Sequence, residues 1–97
     1  MQVTIPHQFS KAQAKERVVL ALQDARQKIG TQATIERQEW EGDTLTFGFT
    51  AQGQSISGTF EVREHEFYLD ATLPLMFRMF ESRIKSAIEQ QAAQLLK

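Results

Sequence analysis

Cysteine does not occur among the 97 residues, so neither a disulfide framework nor a thiolate metal site can form, and nothing calls for an oxidising compartment. Proline is confined to Pro6 and Pro74 and glycine to five positions, too few for a low-complexity chain. No apolar stretch is long enough to span a bilayer, and Met1-Gln2-Val3-Thr4-Ile5 carries neither the basic nor the apolar segment of a signal peptide. The expectation is a cytoplasmic protein with no transmembrane segment. A net charge of −1 also speaks against a dedicated nucleic-acid binder.

What is present is an ordinary globular composition, 41% hydrophobic and 24% charged, in a length that predicts a single domain over 1–97. The charges segregate. Residues 10–30 hold five basic and two acidic groups, 31–72 hold two basic and eight acidic, and 73–97 hold four basic and two acidic. Both flanks are therefore basic around an acidic centre.

Ser10 and Gln13 form a capping box, with Phe9 placed as a staple and Gly30 as the C′ residue, so a first helix is predicted over 11–29. Ala14, Val18, Ala21, Leu22, Ala25 and Ile29 recur at helical spacing and predict its core face. The centre switches to period two: Leu45, Phe47 and Phe49; Ile56, Gly58, Phe60 and Val62; Phe67, Leu69, Ala71 and Leu73. A turn at Gln52-Gly53 sets Phe49 against Ile56, Phe47 against Gly58 and Leu45 against Phe60, so every inward residue meets another. A turn centred on Glu64-His65 does the same for Val62 with Phe67 and Phe60 with Leu69. A strand from Ala33 to Trp40, with Ile35 its only strong inward residue, is predicted as an edge. Val3 to Ile5 is available as a fifth strand.

A second helix is predicted from Pro74 to the end of the chain, with Phe77, Phe80, Ile84, Ala87, Ile88, Gln91 and Leu95 as its buried stripe. The predicted fold is α+β: an antiparallel four-stranded meander, extendable by the N-terminal strand, with two antiparallel helices on one face.

Two surfaces follow. Leu75, Met76 and Met79 lie partly off the helical stripe and are expected as an apolar contact patch, flanked by Arg78 and Arg83, at the Gly53 end of the sheet. On the open sheet face, Trp40, Thr44, Glu61 and Tyr68 are expected in one cross-strand row. Self-association through that Ser/Thr-rich face or through an edge strand is a further expectation.

Catalytic chemistry has little support, because the serines fall at a helix cap, on the outer sheet face or on the second helix, and no triad assembles. Glu61 and Asp70 can face one another on the open sheet, where carboxylates ordinarily serve solvation. His65 between Glu64 and Glu66, with His7 brought close by a fifth strand, is the one arrangement that evokes a divalent metal. Neighbours in a turn diverge, which favours a solvated hairpin tip. No phosphate-binding glycine loop occurs. The expectation is a protein without enzymatic activity, cofactor or metal.

Val3-Thr4-Ile5-Pro6-His7, Trp40-Glu41-Gly42-Asp43-Thr44-Leu45, Gly53-Gln54-Ser55-Ile56-Ser57-Gly58 and Leu73-Pro74 together resemble the bacterial polyhydroxyalkanoic acid system family, across essentially the whole chain. The resemblance implies a small protein encoded near polyhydroxyalkanoate synthesis or granule genes, with no established activity and no catalytic residues to carry over. It implies an accessory protein whose partner is the polyhydroxyalkanoate granule or a protein of its synthesis system. The architecture is also similar to a reduced helix-grip fold. That likeness implies the alternative function, an apolar or hydroxyacyl ligand held between the sheet and the C-terminal helix.

Overall fold

The computed structural model describes residues 1–29 and 32–95. Its elements run β1 (Gln2–Pro6), α1 (Lys11–Ile29), β2 (Ala33–Glu41), β3 (Thr44–Ala51), β4 (Gln54–Val62), β5 (Glu66–Thr72), α2 (Leu75–Arg78) and α3 (Glu81–Leu95). The five strands form one antiparallel sheet in the order β1-β5-β4-β3-β2, which makes the fold α+β as expected. Val3 to Ile5 does become a strand, pairing Val3 with Leu69 and Ile5 with Phe67.

The alternation of β3, β4 and β5 sets their register as expected: Leu45 meets Phe60, Phe47 meets Gly58 and Phe49 meets Ile56, while Phe60 meets Leu69 and Val62 meets Phe67. The β3–β4 turn has both central residues at positive φ, Gln52 at 54° and Gly53 at 76°, the geometry whose twist suits a two-residue hairpin. Glutamine has no local stabilisation in that left-handed region, whereas asparagine tolerates it. Gln52→Asn is therefore expected to stabilise the fold by about 0.5–1 kcal/mol, read as a thermal midpoint a few degrees higher.

β2 departs from simple alternation. Its pairing with β3 slips between Ile35 and Arg37, leaving Glu36 as the extra residue of a β-bulge. A one-residue insertion exchanges the two faces for everything beyond it. Trp40 thus stands opposite Leu45 on the inner face, not beside Thr44 on the open one; Glu41 takes the place opposite Thr44. The indole packs against the core and is roofed by the Lys15 ammonium, 4.9 Å from its ring centre.

Ser10 caps α1 as the capping box predicts: its Oγ accepts from the Gln13 N–H and Gln13 Oε1 accepts from the Ser10 N–H, at 3.2 and 3.3 Å. Gly30, expected at the C′ position, lies outside the described residues, as do the side chains of Ala25, Ile29 and Leu95. α1 rests over β4 and α3 over β1, on the same face of the sheet. The buried apolar cluster combines Val3, Ile5, Val62, Phe67, Leu69 and Ala71 with Ala14 of α1, and Val18, Ile88 and Ala92 lean on it. The core therefore sits off-centre, beneath the β1–β5–β4 half.

The expected single C-terminal helix is broken. Pro74 opens α2, its carbonyl accepting from the N–H groups of Phe77 and Arg78 at 2.9 and 3.2 Å. The Phe80 N–H then donates to the Phe77 carbonyl at 3.0 Å, a three-residue spacing that ends the first turn and shifts the helical phase. α3 consequently turns Ile84, Ile88 and Ala92 inward, one residue in four, while Ala87 and Gln91 are exposed. Phe80, expected in the core, is 49% exposed.

Candidate interaction surface

α2 starts where β5 delivers the chain, past the buried Leu73. A one-turn helix presents its side chains around nearly a full circle, and only Phe77 turns partly inward. Leu75 is 80% exposed, Met76 59% and Met79 83%. With Phe80 these are four of the six large hydrophobic side chains exposed among the described residues. Scattered exposed leucines need no explanation, but such side chains within six successive positions, 75–80, make a patch.

Arg78 and Arg83 border this patch, both exposed. The nearby carboxylate of Glu81 is engaged elsewhere, 3.3 Å from the Met1 ammonium, which also donates to the Ala71 carbonyl at 2.9 Å. The patch is thus apolar with a cationic border. Phe80 belongs to it although the helical stripe assigned it to the core; the signal that could have revealed this, a break in phase after Phe77, is not written in residue type.

The open face of the sheet carries Thr44, Glu61 and Tyr68 in one row, with Thr4 of β1 extending it and Glu41 in place of Trp40. Glu61 and Tyr68 are already engaged by a neighbouring cation. Arg63 holds Glu61 at 3.2 Å and Glu66 at 3.3 Å, and lies 4.5 Å over the Tyr68 ring. Hydrogen bonding to Glu61 is the chief reason the Arg63 guanidinium titrates above its ordinary value, the Coulombic pull of Glu61 and Glu66 adding to it. Asp70 stands opposite Thr59, not opposite Glu61, so the two carboxylates are diagonal neighbours, and one of them already has a cation.

β1 brings His7 to the β4–β5 turn, where its N–H donates to the His65 carbonyl at 3.0 Å. Of the two histidines His65 is exposed and His7 is not. His7 is buried, its Nε2 donating to the Arg63 carbonyl at 2.8 Å and its Nδ1 accepting from the Phe9 N–H at 3.2 Å. With both ring nitrogens used, His7 is a structural strut between strand and helix and has no lone pair for a metal. Among the described residues no three His, Asp or Glu side chains gather as a metal site.

The space between the sheet and α3 is filled. Val3, Ile5, Leu69 and Ala71 are buried there against Ile88 and Ala92, and what remains beside α3 is an open groove of about 250 Å³ along Thr4, Ile5, Pro6, Glu89 and Ala93. Ligand sites are commonly enclosed clefts of roughly 300–1,000 Å³.

The geometry defines a small α+β protein whose most distinctive surface is an apolar, arginine-bordered helix start at one end of an antiparallel sheet. Over residues 1–96 the chain belongs to the family described as "Putative polyhydroxyalkanoic acid system protein". No curated protein and no solved structure matches it. No helix among the described residues is long and apolar enough to cross a membrane.

Proposed function

We propose that this protein is a non-catalytic accessory component of a polyhydroxyalkanoate system that docks on the apolar surface of the polymer granule through Leu75, Met76, Met79 and Phe80. The observation that carries the reading is their exposure, between 49% and 83%, at a helix start from which only Phe77 turns partly inward. Family membership supports a partner of this chemistry, polyhydroxyalkanoate being a hydrophobic polyester. Two methionines beside Leu75 suit such a surface, because the flexible, unbranched methionine side chain conforms to an irregular apolar substrate. Arg78 and Arg83 at the border serve anionic groups at the granule's rim.

Purified protein mixed with polyhydroxyalkanoate granules is expected to sediment with them, and the Met76→Glu, Met79→Glu double variant to lose at least about tenfold in binding. Each buried methionine contributes roughly 1.5–3 kcal/mol on transfer, and about 1.4 kcal/mol is tenfold. The exposed positions leave the fold intact, so circular dichroism and thermal midpoint should match the parent. Wild-type protein that stays in the supernatant, or a double variant that sediments equally, overturns the proposal.

A further inference from the structure

The inner face of the sheet is unevenly covered. Beneath β1, β5 and the last part of β4 the inward side chains are buried, yet Phe47, Phe49 and Ile56 are only half-buried and Ile35 is 37% exposed. These residues are contiguous: Ile35 pairs with Phe49 and Phe49 with Ile56 in one cross-strand row, and Phe47 lies beside it, its ring 6.3 Å from that of Phe49. The flank of α1 at Val19 and Leu22, one and two turns beyond Lys15, is likewise half-buried.

The whole molecule carries the same surplus. A compact monomer of 11.1 kDa exposes about 5,700 Å² by the usual size scaling, whereas this chain exposes 6895 Å². Its radius of gyration is 13.2 Å, against roughly 12.5 Å for a compact domain of this length. The surplus, on the order of 1,200 Å², is spread over the whole molecule, the exposed α2 side chains included, and leaves room for an interface that removes about 800 Å² from one partner.

We propose that this face is the interface of a homodimer, the Ile35–Phe49–Ile56 row of one chain packing against the same row of a second copy. In a two-fold contact each patch meets itself, so a patch bordered by charges of one sign would set like charges against one another. This row and its neighbours Phe47 and Gln38 contain no charge, which suits self-recognition. The α2 patch, bordered by Arg78 and Arg83, does not. The routes through the β2 edge and the outer face are obstructed. Glu36, Arg37, Glu39 and Glu41 charge the edge and the bulge disrupts its ladder, while the outer face is built of threonines, serines and paired ions. Two apolar sheet faces stack into an interface about 10 Å thick, the spacing of a β-sandwich.

Sedimentation velocity of the full chain over a concentration series should show a species of twice 11.1 kDa. Ile35→Lys, at the partly exposed end of the row, should raise the dimer dissociation constant at least about tenfold while keeping the parent's circular dichroism. The Met76→Glu, Met79→Glu variant should remain dimeric, which separates this proposal from granule docking. Because the chain has no cysteine, single replacements report directly. A short bismaleimide should link Ile35→Cys into a covalent dimer and leave Ser57→Cys, on the outer face, monomeric. A wild-type chain that is monomeric throughout, a dimer indifferent to Ile35→Lys, equal cross-linking at both cysteines, or loss of the dimer in the α2 variant would each overturn it.

Discussion

Gly58→Ala is expected to lower the thermal midpoint by about 12–24 °C. Gly58 lies in the middle of the sheet, paired with Phe47 on one side and Ala71 on the other. A β-carbon there would stand 2.1 Å from the Asp70 carbonyl oxygen and 2.8 Å from the Ala71 Cα. Both obstacles are backbone of the adjacent strand, so no change of rotamer relieves them. The strands would have to part, and the pairing of β4 with β5 joins the meander to β1. Overpacking ordinarily costs about 1–3 kcal/mol and occasionally more. An obstacle made of backbone places this substitution at about 3 kcal/mol or above, a large share of the roughly 5–15 kcal/mol that stabilises a domain. For a chain of this length each kcal/mol moves the midpoint by about 4–8 °C. Thermal unfolding followed by circular dichroism reads the effect, and a midpoint within a few degrees of the parent would mean that β4 and β5 are not so closely apposed.

Phe67→Ala is expected to cost about 3–5 kcal/mol, the range for truncating a buried aromatic ring. Phe67 is 4% exposed; its ring lies 4.7 Å from the His7 imidazole and 5.5 Å from the Phe60 ring, centre to centre. It also pairs with Ile5 and with Val62, so the cavity would open where β1, β4 and β5 meet. The neighbouring imidazole would lose the tilted ring it packs against, keeping only its stacking on Phe9. Phe49→Ala removes an identical side chain from the half-buried end of the sheet, and should cost less than half as much, because less area leaves water there on folding of the single chain. Equilibrium denaturation of the two variants at low protein concentration makes the comparison. Equal losses would contradict an off-centre core.

The parts of this fold that were legible in the sequence are those where two strands each alternate cleanly and a short turn joins them. Leu45 to Phe49 and Ile56 to Val62 admit one register that keeps apolar residues together, and Gly53 marks the turn. β2 was opaque for the opposite reason. With Ile35 as its one strong inward residue, nothing in residues 33–41 distinguishes a regular strand from one with a bulge at Glu36, and the error displaced Trp40 to the wrong face. The break after Phe77 involves neither proline nor glycine; it is a difference of one residue in hydrogen-bond spacing, and it decides whether Phe80 is inside or out. Leu75, Met76 and Met79 could be singled out because they fall off any single helical stripe. The role of His7 could not, since its partners at Arg63 and His65 are remote in sequence and reach it only through the pairing of β1 with β5.

That pairing also orders events in time. β2 to β5 are joined hairpin by hairpin, each contact closing a short loop, whereas Gln2 meets Asp70, 68 positions further along. Loops of that length close slowly and at an entropic cost that short hairpins escape. On the ribosome β1 is made first and must wait, without its ladder, until β5 has emerged. Only then can His7 reach the β4–β5 turn and α3 cover the completed edge. The first strand of the five in sequence is expected to be among the last to find its place.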